Sequence, residues 1–567
     1  MYARLELRWL LLGWIGLVPW IVALDRARSW RRVLGLGLLM SVCFTLAVFG
    51  WFALAIRTYT GLPLAGSLVV LGLTGPLVQP QFVVFALARH LMRDRAGGER
   101  TGVEPAGDAH RERSERGQPE PAGFTPAGDA HRERSERGQN QLLPAFAGAF
   151  LYVGTEWALP KLFGDTLGHG LYASLWMRQG ADVAGAPGLS VVLLLANAAA
   201  VEAWHALVGD SDATGSAAAG GNAPSLRARL RRASMPALAS VLLAAGLSSY
   251  GIFRLRQLAA MPTGTPLTAG IVQGNVSHYD QLRTEIGTYA TVRMVLDTYF
   301  DMSDEILRRQ PLDLLIWPET VYPTTFGAPK SDDGAAFDRE ITAFATRSKV
   351  PLVFGAYDVE GGAEFNAAFF LEPPASRLVA TYRKAWPFPL TERVPAFLDT
   401  PRVRAWLPWL GTWQAGAGAK VVPLRLADGR TLHIAPLICY DVLDPTLALA
   451  AARAGADVIV TLSNDSWFAN GAGPRQHLLG AAFRSIETRR PQLRATNTGI
   501  SAVITPTGEI IARAGLDERA TVVASVVPDA RSTTLVVAWG DWLGPVALAL
   551  GGAILALTLV VSRRRDA

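Results

Sequence analysis

Long apolar runs dominate both ends of the chain, and they predict helices that cross a membrane. A transmembrane helix needs roughly 17 to 25 mostly apolar residues. Runs of this kind occur near Trp9–Leu24, Val33–Ile56, Leu62–Ala88, Leu142–Leu159, Leu189–Leu207, Met235–Phe253 and Trp542–Val561. We therefore predict an N-terminal transmembrane bundle of about six spans over residues 1–255. A single C-terminal span with a basic tail is predicted over residues 531–567.

The pattern changes between these two regions. Short apolar or β-branched runs predict strands at Thr268–Gln273, Leu312–Trp317, Leu352–Ala356, Ala367–Leu371, Leu432–Ile438, Val458–Leu462 and Ala502–Thr505. They alternate with helical stretches at Tyr289–Arg309, Gly334–Ser348 and Pro474–Arg489. Strands that alternate with helices indicate an α/β domain with a largely buried sheet. We assign this domain to residues 256–530.

Arginine-rich loops determine the predicted orientation in the membrane. Arginines cluster after the first, third and last apolar runs and before the sixth, at Arg26, Arg28, Arg31, Arg32, Arg93, Arg95, Arg227, Arg229, Arg231, Arg232, Arg563, Arg564 and Arg565. Basic loops stay in the cytoplasm, so the α/β domain is predicted to face the periplasm from a bacterial inner membrane. The N-terminus then also lies outside despite Arg4 and Arg8, as expected if relatives have an earlier span or the true start lies upstream.

A tandem repeat separates the third and fourth apolar runs. Residues Pro105–Gln118 recur at Pro126–Gln139, and both copies are rich in charge. This composition predicts a disordered loop over residues 96–140. Residues Gly209–Pro224, rich in glycine, alanine and serine, are predicted to be a second flexible linker.

Composition agrees with a membrane protein and restricts its partners. Half of the 567 residues are hydrophobic and the mean hydropathy is +0.22. The net charge of +6 comes with arginines beside apolar runs, which argues against a nucleic-acid partner. Two cysteines, Cys43 and Cys439, exclude a disulfide framework. The eight histidines have no metal-ligand spacing and no phosphate-binding glycine loop is present, so no metal or cofactor is expected.

Three predicted strands end in side chains that could act together in nucleophilic catalysis. These are the carboxylate of Glu319, the amine of Lys384 and the thiol of Cys439. A thiolate is a strong nucleophile. A carboxylate can take its proton, and an ammonium group stabilises both the thiolate and a tetrahedral oxyanion. Taken singly, Glu319 could be a turn residue, Lys384 a solvated charge and Cys439 a buried structural cysteine.

Taken together, the three residues resemble the nitrilase, or carbon–nitrogen hydrolase, superfamily. The order is Glu, Lys, Cys, with Trp-Pro-Glu at Trp317–Glu319 and Cys-Tyr-Asp at Cys439–Asp441. The resemblance implies a four-layer α-β-β-α sandwich. It also implies that Glu319 is the general base, Lys384 stabilises the oxyanion, and Cys439 is the acylated nucleophile.

The flanking spans and four further motifs narrow the resemblance to the apolipoprotein N-acyltransferase family. The motifs lie at Val272–Asn275, Ser463–Phe468, Gly473–Leu478 and Arg494–Ser501. By this resemblance the supporting residues are Glu392, Tyr440 and Asp441, and the residues of the pocket wall are Asn464, Trp467 and Phe468. Glu392 could instead be an ordinary turn residue, and Tyr440 could instead serve only to pack the core.

The sequence departs from the family pattern in the lid and at the nucleophile. Residues Ala385–Thr391 read Ala-Trp-Pro-Phe-Pro-Leu-Thr, with Thr391 in place of the usual glycine. Asp441 is one methylene shorter than the familiar glutamate. These changes bear on lid geometry and on substrate preference rather than on the thiol itself.

The family implies a transfer of a fatty acyl chain between two membrane substrates. The donor is a membrane phospholipid, and the acceptor is the N-terminal diacylglyceryl-cysteine amine of an apolipoprotein, with a thioester on Cys439 between them. Two alternatives stay open. One is a membrane-tethered nitrilase-type amidase that acts on a small amide. The other is a catalytically degenerate relative that binds lipid or lipoprotein.

Overall fold

The computed structural model describes most of the chain, in eleven segments. These are residues 6–97, 127–159, 161–208, 225–261, 264–277, 279–374, 377–396, 398–407, 409–468, 471–529 and 531–566. The first copy of the repeat and the predicted linker Gly209–Pro224 lie outside the described residues. Much of the second copy is described, and it differs from the predicted disordered loop because a helix begins at Ala127.

Seventeen α-helices lie within the described residues. In chain order they are α1 (Leu10–Ile15), α2 (Val18–Asp25), α3 (Trp30–Phe49), α4 (Phe52–Thr60), α5 (Leu64–Val78), α6 (Gln81–Gly97), α7 (Ala127–Ala158), α8 (Ala181–Val208), α9 (Leu226–Ala259), α10 (Tyr279–Ile286), α11 (Thr288–Arg309), α12 (Asp332–Ser348), α13 (Pro401–Trp406), α14 (Pro445–Arg453), α15 (Ala472–Thr488), α16 (Leu535–Trp539) and α17 (Leu543–Asp566). By length and apolar composition, five helical segments of the described chain can cross a membrane, or six if α4 and α5 count as one broken span.

The second and third predicted spans differ from the helices that form. The predicted run Val33–Ile56 is divided, because α3 ends at Phe49. The predicted run Leu62–Ala88 contains α5 and the start of α6, with Pro80 between them. Helices α4 and α5 meet at an angle of 116° around Gly61, whose φ of 72° favours glycine. Hydropathy alone does not register the breaks after Phe49 and Val78, because apolar residues continue beyond each of them.

Thirteen strands of the described chain form two sheets in the region between α9 and α16. They are β1 (Leu267–Gln273), β2 (Leu314–Ile316), β3 (Tyr322–Thr325), β4 (Leu352–Glu360), β5 (Ala363–Glu372), β6 (Arg377–Arg383), β7 (Val422–Arg425), β8 (Thr431–Ile438), β9 (Val458–Ser463), β10 (Gln492–Thr496), β11 (Ala502–Ile504), β12 (Ile510–Arg513) and β13 (Ala520–Val526). The first sheet has the order β13-β1-β2-β4-β5-β6, with β3 beside β4, and the second has the order β12-β11-β10-β9-β8-β7.

The two sheets pack face to face, and alternating side chains define the layers. Ile271 and Ile316 of the first sheet share one buried cluster with Ile434 of the second. The neighbouring residues Val272 and Trp317 point the other way, into a cluster beneath α11 and α12. This alternation is what a strand with two buried faces requires.

The outer helices complete the sandwich and join it to the membrane bundle. Helices α14 and α15 cover the second sheet, and their residues Ala448 and Phe483 belong to the same apolar cluster as Tyr152 of α7 and Leu193 of α8. The fold therefore confirms the predicted combination of an apolar helical bundle and an α-β-β-α sandwich. The continuous cluster also means that the sandwich is packed against the bundle through α15.

Candidate active site

The three predicted catalytic residues meet where strands of both sheets end. Glu319 follows β2, Lys384 follows β6, and Cys439 follows β8. Nζ of Lys384 lies 3.2 Å from Oε1 of Glu319, and all three side chains line one cavity. Three residues spread over 120 positions of the chain therefore form a single site.

Glu319 is buried and its carboxylate is held by three donors. Its Oε1 accepts hydrogen bonds from Nδ2 of Asn366 at 2.6 Å and from Lys384, and its Oε2 accepts one from the backbone N–H of Asn464 at 2.7 Å. Burial raises the pKa of Glu319, and the charge of Lys384 opposes that rise. A carboxylate with a raised pKa is a stronger base than an exposed glutamate, which suits it to take a thiol proton.

Lys384 lies between two carboxylates. Besides Glu319, it contacts Oε1 of Glu392 at 2.8 Å, and Oε2 of Glu392 accepts the backbone N–H of Phe388 at 2.6 Å. Burial alone would lower the pKa of Lys384, but the charges of Glu319 and Glu392 raise it well above its ordinary value. These two charges therefore favour the protonated, cationic form of the amine. Glu392 contacts this cation directly, and its supporting role stays a prediction.

Cys439 stands at the start of a tight turn with unusual backbone geometry. Its φ is 47°, and it opens the 3-10 turn Cys439–Leu443. Such a left-handed conformation is uncommon in residues other than glycine. Burial raises the pKa of the thiol, the charge of Glu319 raises it further, and Lys384 opposes both. The resting group is thus a neutral thiol, which needs a base before it can attack.

Asp441 ties the nucleophile turn to its neighbours. Its Oδ2 accepts the hydroxyl of Tyr382 at 2.8 Å and the backbone N–H of Ile438 at 3.0 Å, and its Oδ1 accepts the backbone N–H of Trp386 at 2.7 Å. One carboxylate thus joins strand β6, strand β8 and the first residues of the lid. The shorter side chain of aspartate reaches all three donors.

The ionisation of Asp441 should reduce stability near neutral pH. Burial raises its pKa from 3.8 to about 6 against the opposing hydrogen bonds. Above pH 6 the side chain of Asp441 is ionised in both the folded and the unfolded chain, and its burial lowers the free energy of unfolding by about 3 kcal/mol. This cost disappears as pH falls toward 4. We expect the melting temperature of the wild type in detergent, relative to Asp441→Asn, to rise by several degrees between pH 7 and pH 4.5. Parallel melting curves for the two proteins would contradict this result.

Tyr440 connects the nucleophile turn to the membrane bundle. Its hydroxyl donates to the carbonyl oxygen of Leu162 at 2.6 Å, in the segment that follows α7. Its ring packs edge-on against Phe388 with a centroid distance of 5.0 Å. The side chain therefore joins the sandwich to the membrane bundle, and a role for Tyr440 in the reaction stays a prediction.

The three predicted pocket residues occupy different places around the thiol. Asn464 holds Glu319 through its main chain and lines the large cavity. Trp467 stacks on Phe468 at 3.9 Å and lies beside Phe388 at 5.2 Å. Phe468 faces Trp51 at the start of α4, with a centroid distance of 5.0 Å. An aromatic wall thus spans the boundary between sandwich and bundle.

Two cavities meet at Cys439. The larger, of about 850 Å³, contains Glu319 and Lys384 and extends to apolar side chains of the bent helix pair. These side chains are Phe52, Ala55, Ile56, Val70, Leu71 and Val78. The smaller, of about 50 Å³, is lined by Phe49, Phe163 and His477 among others. The thiol is therefore reached from a space whose walls are partly membrane helices.

Several residues that shape the site were missed by the sequence reasoning. Asn366 holds Glu319, Tyr382 holds Asp441, and Nε2 of His477 lies 3.0 Å from the carbonyl oxygen of Cys439. The signal that could have revealed Asn366 is its polar side chain inside an otherwise apolar strand, because buried polar groups need partners. His477 lies within a motif used for the family resemblance, but nothing local connects it to the cysteine.

One group of potential metal ligands occurs within the described residues. Atoms of Cys439, Asp465 and His477 lie within 4.8 Å of one another. Both ring nitrogens of His477 already face protein partners, and a guanidinium nitrogen of Arg494 lies 3.1 Å from Nδ1. A resident cation beside this guanidinium would be repelled, so the group does not fit a metal site.

Comparison with known proteins shows which families the two parts of the chain resemble. A carbon–nitrogen hydrolase family model matches residues 268–534, and a model of the apolipoprotein N-acyltransferase N-terminal domain matches residues 2–110. The apolipoprotein N-acyltransferase of Bdellovibrio bacteriovorus is 28% identical over 74% of each chain. That of Geobacter metallireducens is 26% identical over 88% of this chain and 82% of its own. The crystal structure of Saccharomyces cerevisiae Nit3, a nitrilase-superfamily member, is 19% identical over 47% of this chain and 92% of its own, with a TM-score of 0.35.

A four-layer sandwich that joins a carboxylate, an amine and a thiol at its strand ends defines an enzyme of the carbon–nitrogen hydrolase class. The second family model adds part of the helical bundle, residues 2–110, to this sandwich. The two family models and the relatives together support an assignment to the apolipoprotein N-acyltransferase family of the nitrilase superfamily.

Proposed function

We propose that the protein transfers a fatty acyl chain from a membrane phospholipid to the N-terminal diacylglyceryl-cysteine amine of apolipoproteins. Cys439 carries the chain as a thioester between the two substrates. No metal or cofactor takes part. We also propose that the protein lies in the bacterial inner membrane with the sandwich facing the periplasm, as the arginine-rich loops indicate.

The first half-reaction forms the acyl-enzyme. Glu319 takes the proton of the Cys439 thiol as the sulfur attacks the ester carbonyl of the phospholipid, and Lys384 stabilises the oxyanion. The carbon–oxygen bond of the ester then breaks. Glu319 returns its proton to the departing glycerol oxygen, and lysophospholipid leaves.

The second half-reaction transfers the chain to an amine. The free amine of the lipoprotein cysteine attacks the thioester, and Glu319 takes a proton from the attacking nitrogen. The carbon–sulfur bond breaks, the product is an amide, and the thiolate of Cys439 regains the proton from Glu319. Because the two substrates react in turn at one thiol, ping-pong kinetics are expected.

The large cavity is the observation that carries the proposal. It joins the thiol to apolar side chains of α4 and α5, among them Ile56 and Val70. A lipid chain would gain about 0.8 kcal/mol for each methylene that stays in apolar surroundings. A site for a small soluble amide has no need of such a wall. This favours a lipid substrate over the amidase alternative.

Intact-protein mass spectrometry tests the proposed function. After incubation with phospholipid vesicles, the purified protein should gain the mass of one fatty acyl chain. Hydroxylamine should remove the adduct, because it cleaves thioesters, and peptide mapping should place it on Cys439. Adding a diacylglyceryl peptide with a free N-terminus should discharge the adduct and yield the N-acylated peptide.

The remaining outcomes separate the alternatives. Hydrolysis of short amides without any acyl adduct from phospholipid would favour the amidase. No adduct and no hydrolysis, with lipid binding retained, would identify a degenerate lipid-binding relative. A peptide lacking its free amine serves as the control acceptor and should leave the adduct in place.

A further inference from the structure

A histidine behind the nucleophile turn contacts the main chain of Cys439. His477 lies on α15, is 4% exposed, and its Nε2 is 3.0 Å from the carbonyl oxygen of Cys439. A carbonyl oxygen can only accept a hydrogen bond, so Nε2 carries the hydrogen and donates it. The contact holds the carbonyl direction of a residue whose φ is 47°.

Two buried charged side chains hold the ring of His477. Its Nδ1 lies 3.0 Å from Oδ1 of Asp465 and 3.1 Å from a guanidinium nitrogen of Arg494, which is itself 3.1 Å from Oδ2 of Asp465. Burial would raise the pKa of Asp465, but His477 and Arg494 lower it to about 2. Asp465 is thus a carboxylate. The ring is held at both nitrogens and cannot turn without breaking these contacts.

We propose that His477 is a positioning residue that directs the backbone N–H of Tyr440 at the oxyanion formed on the substrate carbonyl. The C=O of Cys439 and the N–H of Tyr440 belong to one trans peptide group and point in opposite directions. The first N–H groups of a helical turn have no partner within it, so that of Tyr440 is available to a ligand. A hydrogen bond to the carbonyl therefore determines where the N–H points.

The peptide geometry indicates which side the N–H faces. His477 and Tyr440 line the small pocket, Glu319 and Lys384 line the large cavity, and Cys439 lines both. A carbonyl that points toward His477 sends the adjoining N–H away from His477, and the inference places it on the side of Lys384. The oxyanion would then lie between this N–H and the ammonium group of Lys384. The inference rests on the proposed acyl-enzyme chemistry.

Two reactions of the Cys439 thiol distinguish a loss of oxyanion stabilisation from a general loss of active-site structure. Acylation of Cys439 by a p-nitrophenyl ester forms an oxyanion, whereas alkylation by iodoacetamide displaces iodide and forms none. His477→Phe keeps a ring but removes the Nε2–H donor, and Asp465 and Arg494 retain their own ion pair. We expect acylation, followed as a burst of p-nitrophenol, to slow about 10- to 100-fold, because loss of one oxyanion donor costs up to 10³-fold. Alkylation should change by about twofold or less.

A conservative variant and a distant histidine complete the test. His477→Gln keeps an N–H donor and should acylate faster than the phenylalanine variant. His477→Asn has an amide one methylene shorter and replaces the phenylalanine variant if that protein does not accumulate. His433, which pairs with Asp457 at 3.0 Å near the far end of β8, is the matched control, and His433→Phe should leave both rates unchanged.

The rates of the His477 variants decide whether His477 has the proposed role. Unchanged acylation in His477→Phe, a parallel fall in acylation and alkylation, or a glutamine variant no better than phenylalanine would overturn the role of His477. If the wild type itself gives no ester burst, the proposed acyl-enzyme fails instead. The two failures are therefore distinguishable.

Discussion

Replacing Cys439 by alanine is expected to abolish acyl transfer, with a loss on the order of 10⁵-fold or more. The variant lacks the sulfur that carries the acyl chain between donor and acceptor. Alanine is smaller than cysteine, and both residues carry a Cβ, so the left-handed backbone at this position is no more strained. The loss should therefore arise in the chemical step and not in folding.

The measurement is transfer of a fatty acyl chain from phospholipid vesicles to a diacylglyceryl peptide, followed by mass spectrometry of the peptide. Cys43→Ala is the matched control, because Cys43 is the other cysteine of the chain and lies exposed on α3, away from the cavities. That variant should retain full activity. Transfer by Cys439→Ala at more than roughly one hundredth of the wild-type rate would contradict a thioester on this residue.

The strands and the reactive residues at their ends could be predicted because their signals are local. An apolar run that stops at a charged or thiol side chain is visible within six residues, as at Leu314–Glu319 and Pro436–Cys439. Which strand ends would meet is not a local property. The family resemblance, and not the spacing, supplied the expectation that Glu319, Lys384 and Cys439 share one site.

The residues that hold the site could not be predicted in the same way. Asn366 contacts Glu319 across 47 positions, and His477 contacts Cys439 across 38. Each partner depends on how the two sheets and α15 stack, which no window of sequence contains.

The membrane helices show a related limit. The 116° bend between α4 and α5 places Ile56 and Val70 in the wall of the cavity, and it lies between two of the predicted spans. Hydropathy does not predict the breaks after Phe49 and Val78, which divide those spans.

Replacing Glu319 by glutamine is expected to slow acyl-enzyme formation by about 10²- to 10⁴-fold, the usual contribution of a general base. Glutamine has nearly the same shape and can still accept from the backbone N–H of Asn464, so the pocket should persist. It cannot take the proton of the thiol, whose pKa burial still raises in the variant. Only the small fraction of thiolate present at a given pH can then attack.

The dependence of this loss on pH separates a base from a structural carboxylate. Because burial raises the pKa of Glu319, the wild-type rate should fall as pH drops through a value above that of an ordinary glutamate, where the base becomes protonated. The Glu319→Gln variant has no such group, so its acid limb should disappear and its residual rate should climb steadily with pH as thiolate forms. The profile of ester-burst rate against pH provides the measurement.

Glu364→Gln is the control, because it changes an exposed carboxylate that pairs with Lys330 on the same sheet, and it should keep the wild-type profile. An acid limb that survives in the Glu319→Gln variant would assign the base to another group, and Glu392, the second carboxylate on Lys384, would be the residue to substitute next.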